Sequence, residues 1–261
     1  MSEPGTISFS GGRTSAYMLR GMLDRGLVGT DTHVLFANTG RERQETLRFV
    51  RDVGVAFGVK IHWIEWAADA KFREVNFEDA SRNGEPFEAL IAKRKFLPNP
   101  VTRFCTQELK IRPMREWMKA RGYRHWTNFV GIRRDEPRRY ARLINPERKR
   151  KERFEMAFPL WDWGATLATV EEFWSRQSFK LELQPHEGNC DLCFLKTAAK
   201  RVQIANERPD LAAWWHEQER RLGSSFRKEG TLAQHQAIAH KLKLADEAQG
   251  DLFTCFCGDA A

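Results

Sequence analysis

Residues 7–15 read Ile7-Ser8-Phe9-Ser10-Gly11-Gly12-Arg13-Thr14-Ser15, and the fold turns on this stretch. The run Thr6 to Phe9 is apolar enough to be a buried strand that stops at Ser10. Gly11 and Gly12 supply a tight turn. The spacing of Ala16-Tyr17-Met18-Leu19-Arg20-Gly21-Met22-Leu23 then predicts a helix entered through Thr14 and Ser15. Strand, turn and helix start bring several unpaired backbone N–H groups to one point, where the helix dipole adds partial positive charge. Such a point suits phosphate, and the Ser and Thr hydroxyls can donate to the same oxygens. The third glycine of the dinucleotide fingerprint is missing and no Gly-Lys-Ser/Thr follows, so this is neither a Rossmann fingerprint nor a Walker loop. A serine-capped turn without a ligand is the bland alternative.

Working outward, His33-Val34-Leu35-Phe36-Ala37 is a second short apolar run, closing on Asn38-Thr39-Gly40. Leu47, Val50 and Val53 give residues 42–54 one apolar face, which predicts a helix, and Val59 to Trp66 alternates as a third strand. This alternation predicts an α/β fold, a three-layer parallel sheet with helices on both faces. Ligands of such sheets bind at the carboxyl ends of strands, where Ser10–Ser15 and Asn38–Gly40 both fall. Residues 67–100 are less regular. A helix is predicted from Thr106 through Met118, entered near Pro113 rather than run through it. A strand at Trp126–Val130 ends on Gly131-Ile132-Arg133-Arg134-Asp135-Glu136. Thr169 to Phe179 predicts a helix capped by Thr169, and Phe194 to Leu222 a helical stretch interrupted at Pro209. The charge run Glu147–Arg153 reads as a solvated loop, with nucleic-acid contact as the sharper alternative.

At 261 residues, with 41% apolar content, 9 Trp and 18 Phe, the chain can bury one large α/β domain and a helical C-terminal region. We expect a division into residues 1–180 and 181–261. No apolar run is long enough to span a bilayer and no basic-then-apolar leader is present, so a cytoplasmic protein with no membrane partner is expected. The net charge of +8, from 43 Lys and Arg against 35 Asp and Glu, favours polyanionic partners such as tRNA, DNA or phosphorylated nucleotides.

The five cysteines are too few for a disulfide framework and read as metal, cluster or redox chemistry. Cys190-x-x-Cys193, on a turn running into a helix, can hold one metal ion or two corners of a cluster. A closed zinc site needs four ligands, and the remaining cysteines are Cys105, Cys255 and Cys257. Two basic groups, Arg103, Lys110, Arg112 and Arg115, then Arg133, Arg134, Arg138 and Arg139, lie after or beside predicted strand ends and suit phosphate or sulfate oxygens. Taken singly, each of these reads as a solvated surface cation.

Five pieces in order resemble the PAPS reductase family of the PP-loop ATP pyrophosphatase superfamily, in its iron–sulfur branch. They are Ser10 to Ser15, Asn38-Thr39-Gly40, Cys105-Thr106-Gln107-Glu108-Leu109-Lys110-Ile111-Arg112-Pro113-Met114, Gly131 to Glu136, and Cys190-Asp191-Leu192-Cys193. The resemblance implies an adenine nucleotide alpha-hydrolase-like fold. It implies nucleotide contacts from Ser10, Gly11, Gly12, Arg13, Thr14, Ser15, Asn38, Thr39, Gly40, Gly131, Ile132, Arg133 and Arg134. The nucleotide would be ATP, adenylyl sulfate or PAPS, with Mg2+ allowed beside it. A 4Fe-4S cluster would sit on Cys105, Cys190 and Cys193, with Cys255, Cys257 or an external group as the fourth ligand. Arg133, Arg134 and Lys110 would hold the sulfate and phosphate, and Cys257, or Cys255, would be the thiolate that attacks sulfur, with thioredoxin or another reductant completing the reaction.

The chain departs from that branch at Phe104, where a second adjacent cysteine is usual, and at Asn38, where an acidic residue is commoner. Its tail has Cys257-Gly258-Asp259 where the reductases carry Glu-Cys-Gly-Leu/Ile-His. A second reading is therefore an ATP-dependent adenylating sulfur transferase or modification enzyme acting on tRNA or DNA. A third is a non-enzymatic nucleotide-binding protein with a structural zinc. An oligomer is compatible with each.

Overall fold

The computed structural model describes residues 3–145 and 153–254, with side chains described as far as residue 243. Most of the basic run 147–153, together with Cys255 and Cys257, lies outside the described residues. In chain order the elements are β1 (Gly5–Ser8), α1 (Arg13–Asp24), β2 (Thr32–Asn38), α2 (Gln44–Ala56), β3 (Ile61–Glu65), β4 (Arg73–Val75) and α3 (Glu85–Arg94). Then come α4 (Phe104–Thr106), a π-helical turn (Gln107–Ile111), α5 (Arg112–Ala120), β5 (Trp126–Phe129), α6 (Pro137–Ile144), β6 (Phe154–Ala157), α7 (Pro159–Asp162) and α8 (Leu167–Ser175). The chain closes with α9 (Ala198–Glu207), α10 (Pro209–Leu222) and α11 (Leu232–Thr254). No helix among the described residues is long and apolar enough to cross a membrane.

Two compact units are present. The first comprises Met1–Leu90, Phe104–Gln184 and Gly188–Cys190, and the second Ile91–Arg103, Pro185–Glu187 and Asp191–Ala261.

The first unit is built on a six-stranded sheet in the order β4-β3-β2-β1-β5-β6. Every pairing is parallel except β3 with β4, which is antiparallel. The sheet is thus mostly parallel rather than wholly so. The short segment Arg73–Val75 doubles back on β3 inside the stretch that reads as irregular in sequence.

Alternation along β2 explains the three layers, because successive strand residues face opposite sides of a sheet. Val34 and Phe36 join Ile7, Phe9 and Trp63 in a core with Leu19 and Met22 of α1, Leu47 and Val50 of α2 and Trp174 of α8. Leu35 faces the other way, with Ile64, and packs on Trp117 and Met118 of α5. Burying each such Leu, Ile or Phe is worth about 1.5–3 kcal/mol.

Helix starts follow local chemistry. Thr166 caps α8, accepting from Thr169 N, while Thr169 answers it in a capping box. The cap is therefore three residues upstream of Thr169, and the hydroxyl of Thr169 serves as the box partner. Helical backbone runs without a break from Phe104 to Ala120, so the helix passes through Pro113 rather than starting at it, and the preceding π-helical turn accommodates a residue with no N–H. The π-helical turn just before it opens the helix at Lys110.

Strand order also locates the ligand crevice. From β1 the chain builds outward through β2 and β3, then returns to lay β5 on the other side of β1. The order reverses between β1 and β5, so connections leaving their carboxyl ends diverge and open a crevice there. Those connections are residues 9–12 and 130–136.

In the second unit α9, α10 and α11 are organised around Phe194, Trp215 and Phe226. Trp215 meets Phe226 edge-on at 4.7 Å between ring centroids, and Phe194 stacks on Phe226.

Candidate active site

The loop after β1 holds itself open. Gly11 has φ +74, and a Cβ there would come within 2.7 Å of Thr46 Cγ2 and 3.1 Å of Phe36 and Val50. Only glycine fits both the left-handed backbone and the close approach to α2. Ser15 of α1 ties the turn back: its Oγ receives Ser10 N at 3.2 Å, lies 3.0 Å from Ser10 Oγ and donates to Gly12 O at 3.0 Å. The first turn of α1 has no acidic residue and no side-chain cap, so its leading N–H groups remain suited to an anion. Arg13 reaches away from the loop, to Leu181 O at 2.7 Å.

The loop after β5 meets α1 from the other side of the crevice. Gly131 lies against the backbone of Ser15, and Ile132 is fully buried as an apolar peg. Arg133 donates to Thr14 Oγ1 at 3.3 Å and to Asp135 at 2.8 Å. Arg134 instead lays its guanidinium over the Trp161 ring at 4.4 Å. Arg133 is thus brought to the loop, while Arg134 is turned to an aromatic face.

At the end of β2, Asn38 is fully buried and points inward. Its Nδ2 donates to Glu65 Oε1 at 2.6 Å and to Ser81 O at 2.9 Å, and its Oδ1 accepts Gly40 N. Glu65, also fully buried, further accepts Ser81 N and Oγ and Arg73 Nε. This network clamps residues 81–84 against Gly40, where φ is +78 and a Cβ would touch Gly84 and Pro86. Asn38 therefore shapes the rim of the crevice, and Thr39 is held by Glu42 through both its N–H, at 2.7 Å, and its hydroxyl, at 2.8 Å.

Glu42 links this rim to the cysteines. Its side chain has no exposure, and its second oxygen accepts Lys110 Nζ at 3.1 Å. It pairs through its backbone with Cys190 in an isolated antiparallel bridge. Burial alone would lower the pKa of Lys110, but Glu42, Cys190 and Cys105 outweigh it and hold the ammonium above the ordinary lysine value. One cation therefore answers the buried Glu42 carboxylate. Next to Cys190, Asn189 donates its side-chain amide to Ser10 O at 2.7 Å, and its own carbonyl accepts Arg43 N at 2.8 Å. The cysteine-bearing segment is stitched onto the glycine loop.

The profile of the phosphoadenosine phosphosulfate reductase domain matches residues 5–181. The chain belongs to this family. Among its relatives, the uncharacterized nin region protein ORF290 of Escherichia phage lambda is 30% identical, over 74% of this chain and 67% of that protein. The uncharacterized protein MJ0066 of Methanocaldococcus jannaschii is 29% identical over 52% of this chain, which spans about a quarter of that longer protein (24%). Two solved structures are similar. PAPS reductase from Candida auris, in a phosphate complex, is 16% identical with a TM-score of 0.39, covering 66% of this chain and 70% of that one. The U34-tRNA thiolase NcsA from Methanococcus maripaludis, with its 4Fe-4S cluster, is 13% identical with a TM-score of 0.40, covering 87% and 74%.

In this family member Cys193 belongs to the second unit, as does the buried Arg201, whereas Cys105 and Cys190 belong to the first. Among the described residues no three His, Cys, Asp or Glu side chains form a ready metal site. The residues that sequence reading passed over are Glu42, Asn189 and Glu65. Glu42 carries one usable signal, since Thr39-x-x-Glu42 has the spacing of a capping box just before α2. Asn189, as the turn residue preceding Cys190, carries only a weak one, and Glu65 carries none.

Proposed function

We propose that this chain is a PAPS-reductase-family enzyme that binds an adenine nucleotide by its phosphates at residues 10–15 and performs sulfur chemistry beside a cysteine-held 4Fe-4S cluster. The observation that carries the reading is the stitch from Asn189 to Ser10, which supports a phosphate loop and a cysteine centre working on one molecule. Arg133, at the mouth of the loop, suits the sulfate or distal phosphate, and Lys110 adds a second cation next to the cysteines.

The donors are of the right chemistry for a cluster, thiolate sulfur throughout. Lys110 is held by Glu42, whose backbone pairs with Cys190, and a thiolate-bound cluster is anionic, so a cation carried there would offset its charge. Cys105, Cys190, Cys193 and Cys255 are the proposed ligands. When bound, the cluster would supply a redox-active, negatively charged centre.

In the reductase reading, the Cys257 thiolate attacks the sulfur of adenylyl sulfate or PAPS. An S–S bond forms as the sulfur–oxygen bond to the nucleotide breaks, and the nucleotide phosphate leaves with that electron pair. A dithiol reductant such as thioredoxin then reduces the thiosulfonate, releasing sulfite and becoming a disulfide. Sulfite release from a sulfonucleotide with thioredoxin tests this, and a Cys257→Ser variant that still turns over refutes the nucleophile.

A second reading is favoured by Phe104, which leaves the chain one cysteine short of the reductase set. In it, ATP at the same loop adenylates a base oxygen of tRNA or DNA and releases pyrophosphate, and a sulfide-level sulfur donor, which a cluster held by three cysteines would bind, displaces AMP. AMP and pyrophosphate formed from ATP only with nucleic acid present would select this reading.

A further inference from the structure

Five arginines stand between residues 133 and 144, against two acids, Asp135 and Glu136. Both acids are already spent. Asp135 accepts Arg133 Nε at 2.8 Å and Leu167 N at 3.1 Å, and Glu136 accepts Arg133 N at 3.1 Å and Arg139 Nη1 at 2.7 Å. Arg133 and Arg139 are thereby answered. Arg138 and Arg142 have no hydrogen bond or ion pair among the described residues.

The packing of α6 fixes where these two charges point. None of its residues is buried. Tyr140 is its inward contact, stacked on Trp161 of α7 at 3.8 Å with the ring planes 1° apart, and edge-on to Phe158 at 5.3 Å. A helix turns about 100° per residue, so Arg138 and Arg142, two positions either side of Tyr140, share the opposite, solvent-facing side. Like charges four residues apart repel and weaken a helix. Arg138 also stands in the first turn, where a cation opposes the helix dipole. Nothing among the described residues offsets either arrangement; an anion from outside would.

The charges form a row rather than a pocket. α6 has eight residues, about 12 Å of helix, and starts directly after the 130–136 loop that lines the crevice. Exposed charges spread over that length suit a repeated anion better than a single phosphate. Trp161 carries Tyr140 on one face and the Arg134 guanidinium, at 4.4 Å, on the other, so it is no bare platform for stacking single-stranded bases. The phosphates of a paired stem fit this helix. A base that reacts in the crevice must be unpaired, because its atoms are out of reach inside a duplex. A folded RNA supplies both in one molecule, a paired stem and an unpaired loop.

We propose that α6 is a docking helix for tRNA, with Arg138 and Arg142 on stem phosphates and an unpaired base entering the crevice between the loops after β1 and β5. This rests on the second reading above, in which the acceptor is a nucleic acid. Arg138 and Arg142 are positioning residues: they hold backbone phosphate and touch no reacting atom.

The test measures binding of the full chain to unmodified tRNA by fluorescence anisotropy across a salt series, with a duplex DNA as a second arm. The double variant Arg138→Gln/Arg142→Gln is compared with wild type and with Arg20→Gln/Arg176→Gln. The latter removes the same charge from arginines paired with Asp24 and Glu172. The α6 variant should bind tRNA more weakly, with the slope of log affinity against log salt shallower by about 2. Its melting temperature and the slope of the control variant should stay at the wild-type values. An equal loss in the control, or an unmoved slope in the α6 variant, overturns the inference. If wild type still forms AMP and pyrophosphate from ATP only with tRNA present, the second reading then stands without α6. Tighter binding to duplex DNA, lost in the same variant, overturns the choice of tRNA. A wild type that binds neither nucleic acid and releases sulfite from a sulfonucleotide overturns the inference and the second reading together.

Discussion

The side-chain amide of Asn189 donates to the main-chain oxygen of Ser10 at 2.7 Å, across 179 positions of sequence. That bond joins the residue before Cys190 to the residue that begins the glycine turn. It also covers Gly12, where an added Cβ would lie 3.1 Å from the same amide. Replacing Asn189 with Ala removes a neutral hydrogen bond worth about 0.5–1.5 kcal/mol. The expected outcome is adenine-nucleotide binding weakened roughly 2- to 10-fold with little change in melting temperature, read by calorimetric titration.

Gly11→Ala should cost far more than an ordinary glycine substitution. The new methyl meets Thr46 at 2.7 Å in a backbone of φ +74, whereas at Gly26, with φ +64, nothing lies within 4 Å. Gly26→Ala should lose only the left-handed penalty of about 1 kcal/mol, and Gly11→Ala about 1–3 kcal/mol beyond that from overpacking. Urea unfolding of the two variants side by side measures the difference, and equal losses would contradict the packing argument.

Lys110→Met leaves the Glu42 carboxylate buried without its cation. Breaking a buried pair from one side costs about 3–5 kcal/mol, and since Lys110 keeps about a third of its side chain in water we expect the lower part of that range or less. The folded-state pKa of Lys110 is raised, so its contribution is complete below the ordinary lysine value and is lost as pH rises through the folded value. Wild type should therefore lose stability at strongly alkaline pH, and Lys110→Met should lose less of it. Denaturant midpoints across that range decide the point.

The amino-terminal ends of β2 and β3 carry a titrating pair. His33 and His62 lie edge-on at 5.9 Å; burial lowers both pKa values, aided at His33 by His62 and Arg121 and opposed by Asp31, and opposed at His62 by Glu74. His33 is hydrogen-bonded to Tyr123 at 3.0 Å and His62 to Glu74 at 2.8 Å. Depressed folded values mean that the unfolded chain binds more protons as pH falls. Stability is complete above about 6.5, the unfolded histidine value, and drains away as pH drops toward the folded values. Urea midpoints at pH 7.5 and 5.5 should differ in wild type, and His62→Gln should narrow the gap.

The glycine turn after β1 and the alternating α/β order were legible because each rests on a local pattern: paired glycines before a helix, and apolar runs of the right period. β6 was not, because Phe154–Ala157 is a short edge strand whose residues are all partly or fully exposed, which leaves no apolar run. β4 is only three residues long and exists through its pairing with β3. The site divides in the same way. Cys190-x-x-Cys193 is a local spacing, whereas Glu42 and Asn189 are single polar residues whose importance comes from partners distant in the chain. Asn38 sits in a recognisable motif, yet its amide is committed to Glu65 and Ser81, a relationship that crosses three segments of chain.

The most direct test of the central claim is spectroscopic, on the anaerobically purified full chain titrated with adenylyl sulfate and, separately, with ATP. The account predicts iron and inorganic sulfide in equal amounts, and a cluster signal that changes as nucleotide fills the loop beside Asn189 and Cys190. A colourless protein holding zinc, or a cluster signal unmoved by saturating nucleotide, would contradict it.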